Sequence, residues 1–145
     1  QHDEPTIMVN AISSFVGEEF EDGGYKFSGT VAAPNGSLYG IPFTARRVIK
    51  FNPIDKSMTE IGLDLGTGRK WIRGAITPSG IIYCVLNNPR RGILKIDTNT
   101  DNATELDVNL LPEQGIGMWI SCAVALDGCI YFMPLSVLKD YPRNH

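Results

Sequence analysis

With 145 residues, 43% of them hydrophobic and 20% charged, the chain has the size and make-up of one folded globular domain and not of a disordered protein. A net charge of −3 gives nucleic acid no electrostatic footing, and no apolar run reaches the roughly 18 residues of a membrane span. Glycine (15) and proline (9) are spread evenly, which fits many short strands joined by turns and speaks against long helices.

In chain order, the first element is Ser14-Phe-Val-Gly17, which matches Thr59-Glu-Ile-Gly62 further on and therefore reads as the fourth strand of an earlier unit. Residues 7–10 would belong to that unit's third strand, so residues 1–24 form the end of a preceding unit. The chain begins at Gln1 and not at methionine, as a processed or excised piece would.

A first full unit follows over residues 25–68, a second over 69–115 and a partial one over 116–145. Phe27-Ser-Gly-Thr-Val-Ala-Ala-Pro-Asn-Gly36-Ser-Leu-Tyr39 aligns with Trp71-Ile-Arg-Gly-Ala-Ile-Thr-Pro-Ser-Gly80-Ile-Ile-Tyr83 and with Trp119-Ile-Ser-Cys-Ala-Val-Ala-Leu-Asp-Gly128-Cys-Ile-Tyr131. In each copy the glycine stands nine positions after the aromatic and the tyrosine three positions after the glycine. The stretch from Val48 to Ile61 continues the match, aligning without a gap with that from Ile93 to Leu106. Such self-similarity marks a repeat architecture.

Each unit reads as four strands. In the first copy these are residues 28–32, 37–41, 48–51 and 58–61. Gly36, Gly80 and Gly128 supply the positive φ that the first hairpin turn needs. Asn52-Pro53 stops the third strand, because proline removes a ladder donor. Residues 62–68 lead to the next unit. One helical turn is allowed within 108–114. Residues 137–142 read either as the third strand of the last copy or as an unrelated tail.

The expected fold class is all-β, with about three four-stranded antiparallel units as β-propeller blades; a β-sandwich is second. One such sheet cannot bury both faces, so stacking must do so, with Phe27, Trp71 and Trp119 as wedges between sheets and Tyr39, Tyr83 and Tyr131 as structural markers. Three units are too few for a ring of four to eight blades. The chain is then half of a six-bladed ring closed by a second copy, each N-terminal strand completing its partner's last blade, or an incomplete part of a longer propeller.

The run Ala-Pro-Asn-Gly-Ser-Leu-Tyr-Gly-Ile-Pro, from Ala33 to Pro42, and Val48-Ile-Lys-Phe-Asn-Pro53 resemble the blades of streptogramin-lyase-like propellers. They are also similar to blades of NHL, Kelch and gluconolactonase-type propellers and to repeats of uncharacterised algal proteins. For lyases of the first kind the resemblance implies a histidine and a metal at the ring's centre. The only histidines here are His2 and His145, at the two ends of the chain. Gluconolactonase-like enzymes hold a cation with carboxylates and asparagines, and the innermost strands here carry no carboxylate.

Four arginines, Arg46-Arg47 and Arg90-Arg91, recur in the same connection of adjacent units and would share one rim. Guanidinium forks suit sulfate, phosphate or carboxylate, while the plainer reading is solvated loop charge. Asp97, Asn99 and Asp101 match the first half of a calcium loop, but Asn102 stands where such loops need glycine and Val108 where they need glutamate. The plainer reading there is a polar hairpin turn.

No cofactor is implied, since Gly17, Gly23-Gly24 and Gly66-Thr-Gly68 do not join a strand to a helix. Three cysteines, Cys84, Cys122 and Cys129, cannot all pair, which favours reduced thiols and an intracellular setting, with Cys84 a small buried hydrophobe. The sequons at Asn35 and Asn102 point instead to secretion. The expected function is a non-enzymatic binding or scaffold module with a protein partner or self-association, and neither nucleic acid nor membrane. The alternative is a fragment of a propeller hydrolase or lyase whose catalytic residues lie outside the chain.

Overall fold

The computed structural model of the chain describes residues 26–86, 92–106 and 119–134. Ten strands occupy them: β1 (Phe27–Ala32), β2 (Leu38–Pro42), β3 (Val48–Phe51), β4 (Met58–Ile61), β5 (Trp71–Ile76), β6 (Ile81–Leu86), β7 (Ile93–Asp97), β8 (Asn102–Leu106), β9 (Trp119–Val124) and β10 (Ile130–Pro134). They form two four-stranded antiparallel sheets, β1-β2-β3-β4 and β5-β6-β7-β8, and the hairpin β9-β10. The expected N-terminal strand at Ser14, the helical turn at 108–114 and the 137–142 segment lie outside the described residues.

The turn residues enforce this order locally. At the first hairpin Gly36, Gly80 and Gly128 take φ of +89°, +90° and +84°, a region where a Cβ would be strained. Asn35 Oδ1 accepts the Ser37 amide at 2.8 Å, and Asp127 Oδ1 accepts the Cys129 amide at 2.9 Å. Ser37 is thereby a turn residue, so β2 starts and ends one residue later than the sequence pattern predicts. The second hairpin repeats as faithfully. Asn52 and Asp97 each accept the amide two residues on, and Lys56 and Asp101 occupy the same left-handed position at φ of 63° and 58°.

Even the irregularities recur. The register shifts between Phe27 and Gly29, between Trp71 and Arg73, and opposite the step from Trp119 to Ser121. A bulge thus follows the leading aromatic in each of the three described units, bending the strand at one fixed place.

β1 packs against β5 and β5 against β9, so the first strand of each unit is the innermost. Each sheet has a face towards the unit that follows and one towards the unit that precedes. Val31, Tyr39 and Lys50 are register partners on the following face of the first sheet. Ile82, Cys84, Ile96 and Ala103 meet them from the second, each at most 1% exposed. Tyr39, Ile41, Val48, Ile61 and Leu65 from one side and Trp71, Ile82, Leu94 and Ile96 from the other form one continuous core. Burial between sheets, not within one, is what stabilises the stack.

Of the expected wedges, Trp71 is wholly buried in this core. Phe27 is half-buried and lies over Gly40 of its own sheet. The strand of Trp119 is described, but its side chain lies outside the described residues.

Candidate functional site

Two connections meet at one end of the first sheet: residues 43–47, between β2 and β3, and residues 62–70, between β4 and β5. The Leu65 amide donates to the Arg46 carbonyl at 2.6 Å and ties them together. Arg47 turns inward and donates to the Gly62 carbonyl. Arg46 stays exposed and sets both Nε and Nη2 on Asp64 Oδ2, each at 2.9 Å. The Gly66 amide and the Arg46 guanidinium together hold the Asp64 carboxyl below its ordinary value.

A third arginine, which the repeat does not reveal, joins them. Arg69 is exposed, with its guanidinium over the Phe43 ring at 5.9 Å from the centroid, within cation–π range. Lys70, next in the chain, is buried and donates to the Gly66 and Gly68 carbonyls at 2.8 and 3.0 Å. These two connections therefore carry three arginines and one lysine against one carboxylate, Asp64. Arg90 and Arg91, the second expected pair, lie outside the described residues.

The opposite end of the sheets holds a polar clasp between units. Tyr39 donates its hydroxyl to Asp101 Oδ1 at 2.7 Å, and Lys50 Nζ meets Asp101 Oδ2 at 2.7 Å. Asn35 Nδ2 donates both to the Tyr39 hydroxyl at 3.0 Å and to the Thr98 carbonyl at 3.1 Å. Lys50 also sits 5.9 Å from the Tyr39 ring centroid. An open cleft of about 190 Å³ runs beside the clasp, lined by Lys50, Asn52, Ser57, Thr59, Ile61 and Asp101.

Of the residues matching a calcium loop, Asp97 accepts its own turn's Asn99 amide, and both oxygens of Asp101 are held by the neighbouring sheet. Among the described residues no three His, Cys, Asp or Glu side chains gather as metal ligands would. The innermost strands, Phe-Ser-Gly-Thr-Val-Ala, Trp-Ile-Arg-Gly-Ala-Ile and Trp-Ile-Ser-Cys-Ala-Val, present small and apolar side chains and Arg73. Cys84 is buried, and burial raises its thiol pKa well above the ordinary value, which suits a packing role. Cys122 is half-buried, Cys129 is exposed, and all three are free thiols.

The clasp predicts an alkaline limit to stability. Burial and the hydrogen bond to Asp101 raise Tyr39 above its ordinary 10.0, and the bond to Asp101 raises Lys50 above 10.5. Both groups hold their protons more tightly folded than unfolded. Their contribution is complete below the ordinary values and is lost as pH climbs through the raised ones. Urea midpoints should therefore hold steady to about pH 10 and then fall, and Tyr39→Phe should flatten that fall. An identical alkaline slope in the variant would remove Tyr39 from the linkage.

No protein-family model matches the chain, and no curated protein matches it. Solved structures do, among them two of one lyase. Virginiamycin B lyase from Staphylococcus aureus superposes with a TM-score of 0.56 at 16% identity, covering 72% of this chain and 33% of the lyase. A catalytically inactive variant of the same lyase, with quinupristin, gives 0.57 at 16% identity over 73% of this chain. The chain thus spans about a third of the length of those lyases. Identity this low carries the fold alone. The four-stranded antiparallel sheets are β-propeller blades, as the repeat implies.

Proposed function

We propose that the chain is a non-catalytic binding module, in which stacked propeller blades present a basic rim to an acidic ligand or protein partner. The observation that carries this reading is the convergence of Arg46, Arg47 and Arg69 on two tied connections that hold one carboxylate. In a chain of net charge −3 such a local excess of arginine is a departure from its surroundings. Arg47 is committed to holding the loop, which leaves Arg46 and Arg69 to reach outward. Arg46 is displaced from Asp64 at little cost, because exposed ion pairs are weak.

The competing reading, a part of a propeller hydrolase or lyase, has the fold likeness to virginiamycin B lyase in its favour. A binding assay and a turnover assay separate the two. The chain should be retained on immobilised polyglutamate at low salt and released as salt screens the contact. Arg46→Glu/Arg69→Glu should lose about tenfold or more in affinity, with an unchanged melting profile. Equal retention of this variant would sink the rim as a binding surface, and turnover of a streptogramin by the chain would favour the enzyme.

A further inference from the structure

The clasp between the first and second sheets has two halves, and each half reappears, altered, on a face that no other described sheet covers. The following face supplies Asn35, Tyr39 and Lys50, and the preceding face supplies the left-handed residue Asp101. On the following face of β9-β10, aspartate replaces asparagine. Asp127 occupies the place of Asn35 and accepts the Tyr131 hydroxyl at 2.7 Å. On the preceding face of the first sheet, lysine replaces aspartate, with Lys56 at the left-handed position of Asp101. The halves have changed charge in opposite senses. Each has become complementary to the other.

Both faces are also less buried than their counterparts between the first and second sheets. Tyr39 and Ile41, on the covered face of the first sheet, are 0% and 1% exposed, whereas their counterparts Tyr131 and Met133 are 50% and 55% exposed. On the preceding side Ile82, Ile96 and Ala103 are buried, while Leu38, Phe51 and Met58 of the first sheet are only half-buried. Apolar side chains left at a sheet face mark a contact surface.

We propose that the occupant of each face is a second copy of this chain, the Asp127–Tyr131 face of one copy receiving the Lys56 face of the other. Two copies of about three units give six blades, within the range of four to eight that closes a propeller. One kind of head-to-tail contact, made twice, then closes the ring with twofold symmetry. The dimer is independent of the basic rim, which lies at the opposite end of the sheets.

The test is sedimentation of the whole chain and of charge-swapped variants. The native chain should sediment at twice its 15.9 kDa mass. Lys56→Glu and Asp127→Lys should each weaken the dimer by about tenfold or more, since each juxtaposes like charges at both contacts. Combining the two substitutions in one chain should restore it. Mixing the two singly swapped chains should do the same, because every contact in the mixed pair joins opposite charges. Both substitutions fall on exposed turn positions, and a circular-dichroism melt verifies each fold. If either variant fails to fold, the native dimer's weakening with added salt serves as the readout. A native monomer, an open-ended series of oligomers, single variants that dimerise normally, or a mixture that stays monomeric would each overturn the proposal.

Discussion

Trp71→Ala should lose about 3–5 kcal/mol of folding stability, measured by urea denaturation. The indole is fully buried in the core shared by two sheets, and its Nε1 donates to the Gly92 carbonyl at 2.9 Å. Truncation opens a cavity in a core whose strands belong to two separate ladders and cannot easily close it. A domain typically has about 5–15 kcal/mol in hand, so the loss takes a large share of the total. Trp71→Phe keeps much of the ring volume but gives up the hydrogen bond to Gly92, and should cost far less, on the order of 1–2 kcal/mol. A loss below about 1 kcal/mol for the alanine variant would show that Trp71 does not couple the sheets.

The repeat made the architecture legible because the signals that set it are local. Gly36, Gly80 and Gly128 fix the hairpins, Asn52-Pro53 ends a strand, and the aromatic before each bulge marks the innermost strand. β3 and β4 match the expected residues; β1 begins one residue earlier, at the bulge, where pairing with Pro42 resumes. The clasp was not legible, and the cause is physical. Tyr39 and Lys50 recur as Tyr83 and Lys95, but Asp101 replaces Lys56, so comparing units hides the partner that binds them. Its carboxylate, read from spacing as half of a calcium loop, is directed by a left-handed backbone towards the neighbouring sheet. Arg46 and Arg47 stood out because arginine pairs recur. Arg69 did not, since its placement over Phe43 depends on how two irregular connections fold together.

That dependence on tertiary contact is sharpest at Gly62, where Gly62→Ala should cost about 2–4 kcal/mol, the sum of backbone strain and overpacking. Gly62 takes φ of +77°, and a Cβ there would lie 2.5 Å from the Ala103 Cβ and 3.1 Å from its amide nitrogen. Ala103 is held in β8 by the pairing of Ile96 with it, so the second sheet cannot yield without breaking its own ladder. Gly66 is the control. Its φ is +84° but nothing lies within 4 Å of a Cβ, so Gly66→Ala should show the backbone strain alone, about 1 kcal/mol. The difference between the two variants measures the close approach of the sheets. Ala103→Gly made in the Gly62→Ala background should recover that difference, and a double-mutant cycle isolates it from the cost of glycine in a strand. Equal losses at Gly62 and Gly66 would mean that the first and second sheets do not meet as closely as the structure has them.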